Sequence, residues 1–206
     1  MLFPERGVHA SWSFFLLVLL AAVISPVEIV VSVLLAAVLH ECGHLLALRA
    51  FHVPIEGLRL SALGAVLYAR GARRLSYGRE LIVTLAGCGM NLVCGFVTAA
   101  FALRISWVEG FVFAGAHILL AVFNLLPIPP LDGSRALDLF VTFLFGPAAG
   151  DAAAAAAGLV CALALVGAGV YIAAETGGGW FFLLAAAALL FGALPQLRLA
   201  KRNRKV

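Results

Sequence analysis

Charge is scarce in this 206-residue sequence: 14 Lys+Arg and 10 Asp+Glu side chains make up 12% of it, against roughly 25% in ordinary soluble domains. So few charges cannot solvate a soluble chain that is 64% apolar with a mean hydropathy of +1.11, which excludes a soluble globular protein. Disorder requires the opposite composition and is excluded as well. The four cysteines, Cys42, Cys88, Cys94 and Cys161, all sit inside apolar runs without paired spacing. That excludes a zinc ribbon or a secreted disulfide framework, and they read as small buried apolar residues. No internal repeat and no soluble domain stand out, and the net charge of +4 does not point to a nucleic-acid-binding domain.

What is present is apolar runs. A membrane-spanning helix needs about 20 mostly apolar residues, and six stretches meet or approach that length: 8–25, 27–50, 80–103, 108–126, 152–174 and 178–194. The fold class expected is therefore an all-α polytopic membrane protein of about six transmembrane helices. Ser25 and Pro26 mark a tight turn between the first two spans. A signal peptide, with Arg6 ahead of an apolar 12–24, lacks a convincing cleavage site. The basic residues set the orientation. With both termini cytoplasmic, the inside holds Arg6, Arg49, Arg59, Arg70, Arg73, Arg74, Arg79, Arg135 and the tail residues Arg198, Lys201, Arg202, Arg204 and Lys205. That is 13 of 14, leaving only Arg104 outside, as the positive-inside rule requires. The whole chain, 1–206, is expected to form one transmembrane domain with a short basic cytoplasmic tail over 195–206.

The longest connection, 51–79, alternates loosely through Ile55, Leu58, Leu60, Leu63, Val66 and Tyr68, with Gly57, Gly64, Gly71 and Gly78 as turn points. It predicts a small cytoplasmic β-hairpin region between helices 2 and 3. The alanine run 152–157 reads as a close-packing helix face.

Polar groups inside spans are costly and mark function. The second span ends in His40-Glu41-Cys42-Gly43-His44. His40 and His44 are four residues apart and share a helix face, where two imidazoles can take adjacent positions on a tetrahedral zinc. Glu41, about 100° round the helix, is placed to act on a bound water rather than to ligate. This is the H-E-x-x-H arrangement of zinc peptidases. A third protein ligand is then required. His52 follows too soon after His44, beyond the helix end. Farther on, Asn124-Leu125-Leu126-Pro127-Ile128-Pro129-Pro130-Leu131-Asp132-Gly133 must break the fourth span, and broken backbone at membrane depth persists only in packed protein or beside a water-filled cavity. Asp132 is either an oxygen ligand delivered by that break or the cap of a short helix starting near Ser134.

These two motifs, H-E-C-G-H and N-L-L-P-I-P-P-L-D-G, resemble the site-2 protease family of intramembrane zinc metallopeptidases. The six-span arrangement is similar to its compact bacterial branch, typified by stage IV sporulation protein FB, over roughly residues 1–195. The resemblance implies one Zn2+ per chain held by His40, His44 and Asp132, with Glu41 as catalytic base and Asn124 near the substrate strand or scissile carbonyl. It also implies a membrane-associated protein substrate, membrane proteins that inhibit or activate the enzyme, and a role such as pro-sigma-factor processing in sporulation. Two departures stand out. Ala86-Gly87-Cys88-Gly89-Met90-Asn91 carries Cys88 where the family often has proline, which leaves Asn91 without an assigned role. No nucleotide-sensing CBS domain is expected after the last span.

The chemistry is consistent on its own terms. Zinc activates water and polarises a peptide carbonyl, Glu41 moves the proton, and Asn124 either donates to the oxyanion or is a satisfied structural amide. His44 lies six residues before Ala50, about 9 Å from the cytoplasmic end of the helix, so water can reach it through a polar cleft. A substrate unwound for cleavage is expected to pair with the strands of 53–68. His117 reads as a hydrogen-bonded packing residue or, alternatively, as a group that supports a metal ligand from behind. The alternative function, a polytopic metal or proton transporter using the same His/Glu/Asp cluster, would need polar groups continuing to the outer face. From Ile29 to Leu39 the second span is apolar apart from Ser32, which favours the peptidase.

Overall fold

The computed structural model describes residues 7–61, 64–69, 75–176, 183 and 186–191. Arg6, Arg70, Arg73, Arg74, most of the stretch 178–194 and the basic tail lie outside the described residues. The chain divides into two compact units, Met1–Val122 and Phe123–Val206.

The first unit opens with strand β1 (Gly7–Ala10) and helix α1 (Trp12–Ile24), followed by α2 (Val27–Ala50), the hairpin β2 (Ile55–Ser61) and β3 (Gly64–Ala69), α3 (Tyr77–Ile105) and α4 (Val108–Asn124), whose last two residues belong to the second unit. Pro26 stands at the N-cap of α2, where its missing N–H costs no intrahelical bond. The expected hairpin forms, β2 and β3 pairing antiparallel with a bulge between Ile55 and Gly57. A third strand was not expected. Residues 7–10, read from hydropathy as the start of the first span, instead pair parallel with β2, Gly7 opposite Gly57 and Ala10 opposite Leu60. Val8 and Ala10 are apolar enough to disguise the boundary, which falls at Ser11, the N-cap of α1. The sheet order is β1-β2-β3, so β2 has both edges engaged. Of the expected strand region, only the outer edge of β3 is left for an incoming strand.

The helices are inside-out relative to soluble proteins. Inward faces carry small or polar residues: Ser32, Ala36, His40 and Gly43 on α2, Thr84, Gly87, Cys88, Asn91 and Gly95 on α3, and Gly110, Ala114, His117 and Ala121 on α4. Each set repeats at three or four residues, one helical stripe. Large apolar residues such as Leu19, Val38, Phe96 and Leu119 are exposed. Lipid tails solvate such side chains as well as a protein core does, so contact between helices depends on small residues and close packing.

In the second unit a break, 125–131, leads to α5 (Asp132–Phe145) and α6 (Pro147–Thr176). Ile128, fully buried, forms the centre of a cluster with Ala162, Cys161 and Leu165 of α6 and with Leu126 and Leu131 beside it. Gly158 of α6 admits the Pro127 carbonyl, where a Cβ would come within 2.8 Å. The loop is thus seated on α6 rather than hanging free.

Among the described residues, three helices are long and apolar enough to cross a membrane: Val27–Ala50, Tyr77–Ile105 and Pro147–Thr176. The other two expected spans that are described in full are shorter, 13 residues for α1 and 17 for α4. At 1.5 Å per residue these reach about 20 and 26 Å, short of the roughly 30 Å hydrocarbon core.

If Ile128 anchors the loop, Ile128→Ala should cost about 2–5 kcal/mol and Ile128→Val about 0.5–1.5 kcal/mol. The check is the unfolding midpoint in SDS titration of the detergent-purified protein; equal midpoints would refute the anchor.

Candidate metal centre

The site begins with two glycines that face each other across α2 and α3. A Cβ on Gly43 would meet the Ala86 carbonyl and stand 3.0 Å from the Gly87 Cα. A Cβ on Gly87 would meet His44 Nε2 and stand 2.7 Å from His40 Nε2. Gly43 therefore lets the two backbones touch, and Gly87 leaves open the space in front of the two imidazole nitrogens.

The rings are held from behind. His44 Nδ1–H donates to the Val83 carbonyl at 2.8 Å. A carbonyl can only accept, so the neutral ring carries its proton on Nδ1 and presents a lone pair at Nε2. His40, 5% exposed, places its own Nε2 3.1 Å from that of His44, with the rings 81° apart. Two nitrogens at 2.0–2.1 Å from one tetrahedral zinc stand about 3.3 Å apart. The observed spacing fits such an ion with little movement. Behind His40, the Asn91 amide nitrogen donates to Nδ1 at 3.4 Å, and His117 Nδ1–H donates to Asn91 Oδ1 at 3.1 Å. Asn91 and His117 are fully buried. Helix α3 runs unbroken through Cys88 and Asn91.

Glu41 is half-buried on the same turn. His52 is exposed past the end of α2 in left-handed backbone, φ 56°, off the buried face that carries His40. In the second unit Asn124 is the last residue of α4 and Asp132 the first of α5, both half-buried. The cap position of α5 is taken by Leu131, so Asp132 is not the capping residue that the alternative reading required. Gly133 follows because a Cβ there would collide with the Leu125 and Leu126 carbonyls.

Sequence reasoning brought forward His40, Glu41 and His44 but left Asn91 without an assigned role and read His117 first as packing, with a place behind a metal ligand as the alternative. The available signal was two strongly polar side chains at the same depth in adjacent apolar spans.

No family model matches the chain. It is 30% identical over 147 residues to Rip3, described as a zinc metalloprotease, in two strains of Mycobacterium tuberculosis, the alignment covering 66% of this chain. It spans 37% of the length of these relatives. Its fold matches a site-2 protease from Methanocaldococcus jannaschii with a TM-score of 0.67 at 20% identity, covering 95% of this chain and 93% of the other. The chain is thus similar in sequence to a zinc metalloprotease and shares the fold of a site-2 protease. Its long apolar helices fit a membrane-embedded protein, and its paired imidazoles suit one Zn2+.

A methyl group at residue 87 would occupy the space in front of both Nε2 atoms, whereas at Gly89 it would meet nothing within 4 Å. Gly87→Ala should therefore lose most of its bound zinc and Gly89→Ala should keep it, measured by elemental analysis of purified protein. Equal zinc in both would show that the space at Gly87 is not where the metal sits.

Proposed function

We propose that the chain is an intramembrane zinc endopeptidase that cuts a peptide bond in or near the membrane segment of a membrane-associated protein. The observation that carries this reading is the pair of buried His40 and half-buried His44, whose Nε2 atoms lie 3.1 Å apart, with Glu41 on the same turn. His40 and His44 are the imidazole ligands and Asp132 the oxygen ligand, which leaves a tetrahedral ion one open position. The family relationship and the placement of Asp132 at the end of a packed loop support the third assignment.

When bound, zinc supplies a water of pKa about 7 and polarises the scissile carbonyl. Glu41 takes the proton of the attacking water and returns it to the leaving amine, so that the carboxylate is regenerated each cycle. Asn124 donates from its side-chain amide to the oxygen on which negative charge develops. A single transmembrane domain carries the site, with about six spans, both termini cytoplasmic and the centre near the cytoplasmic face. Thirteen of fourteen basic residues on one side of that topology support it. Membrane proteins that restrain or activate the enzyme are its further partners. A tethered regulator such as a pro-sigma factor is the first substrate to test.

Glu41→Gln should retain one zinc and lose about 10²–10⁴-fold in cleavage of a membrane-tethered reporter, while Asp132→Ala should lose the zinc itself. Cleavage by Glu41→Gln at the wild-type rate would refute its role as base. Folded wild-type protein without zinc would refute the metal centre and favour transport.

A further inference from the structure

The contacts around His40 set a hydrogen-bond direction for neutral rings. The Val83 carbonyl requires Nδ1–H on His44, which makes His44 Nε2 an acceptor; the 3.1 Å contact then requires Nε2–H on His40. His40 Nδ1 must accept from the Asn91 amide nitrogen, and Asn91 Oδ1 accepts from His117 Nδ1–H. Among the described residues, this series of bonds ends at His117 Nε2, buried and without a hydrogen-bond partner.

A metal on both Nε2 atoms is incompatible with that arrangement, because each must offer a lone pair. The proton of His40 then sits on Nδ1 and needs an acceptor. Turning the Asn91 amide end for end supplies one, since its nitrogen and oxygen exchange places with no other heavy atom moving. The amide nitrogen now faces His117 Nδ1, which must accept, so the His117 proton moves to Nε2. Each ring shifts one proton and stays neutral. Because no other group engages His117 Nε2, the orientation of Asn91 alone decides which tautomer His117 adopts.

We infer that Asn91 and His117 are positioning residues that orient His40 and reverse their hydrogen-bond direction when the metal binds. This rests on the proposed metal centre, and its own content is the switch. The pair sits on α3 and α4, so it links the loading of α2 to the packing of all three helices. Ring contact with Phe113, centroids 4.5 Å apart, holds the His117 ring in place while its proton moves.

The test uses the full chain, purified in detergent with ¹⁵N-labelled histidine, zinc-free and zinc-loaded; the His117 signals are assigned from their absence in His117→Phe. Wild type should change from Nδ1–H to Nε2–H at His117 on zinc addition. In N91D a carboxylate accepts from both rings, so His117 should stay Nδ1–H in both states and zinc affinity should remain within a few-fold of wild type. N91L should bind zinc about 10–100-fold more weakly in chelator competition. An unchanged His117 tautomer in zinc-loaded wild type overturns the inference, as does wild-type affinity in a folded N91L. Wild type that takes up no zinc overturns the metal centre itself, a separate failure.

Discussion

Between the imidazoles of α2 and the backbone of α3 there is no room for a side chain at residue 87, and the rest of the first unit follows from that. Two helices in lipid gain little from hydrophobic association, so they hold together where their backbones approach and polar groups find partners. Gly43 against Ala86 and Gly87 provides the approach. The histidines one turn away supply the polar groups. Had either glycine carried a Cβ, the helices would part, and His44 would lose the Val83 carbonyl that fixes its tautomer.

One stripe of α3 does three jobs at intervals of four residues. Val83 orients His44, Gly87 clears the space before the nitrogens, and Asn91 engages His40. None of these offers a metal ligand. They make the difference between two histidines that merely share a helix face and two whose Nε2 atoms are brought to 3.1 Å of one another. The i, i+4 spacing on α2 is necessary for the site, but a neighbouring backbone converts spacing into geometry.

Local features were the ones legible in the sequence. The bounds of α2 follow from Pro26 and the apolar stretch 27–50, and the His40–Glu41–His44 turn follows from helical periodicity alone. The 55–69 hairpin was readable from alternation and its turn glycines. Features that depend on which helix faces which were not. The contact of His117 with Asn91 and then His40 joins residues 26 and 51 positions apart, and the Cys88 substitution removed the family signal that would have drawn attention to Asn91. Strand β1 was hidden for a different reason, since four residues of mixed polarity weigh little in a hydropathy average, and only pairing with β2 reveals them.

The second unit solves a separate problem, that of holding broken backbone steady in an apolar chain. Peptide groups outside a helix need partners where water is scarce. Here the segment 125–131 folds tightly on itself, with Leu126 N–H donating to the Phe123 carbonyl and Leu131 N–H to that of Ile128. Ile128 is driven into α6 and Gly133 brings the loop's end against the Leu125 and Leu126 carbonyls. Asp132 is therefore fixed from both sides, by an apolar anchor before it and a glycine contact after it. Its place in the first turn of α5 also suits a carboxylate, which the N-terminal helix dipole stabilises by about 0.3–1 kcal/mol. As the third ligand proposed above, a carboxylate on an unsupported loop would have to be ordered again at each metal-binding event. At a seated helix start Asp132 would avoid that cost, which would give the proline-rich break a reason beyond ending a helix.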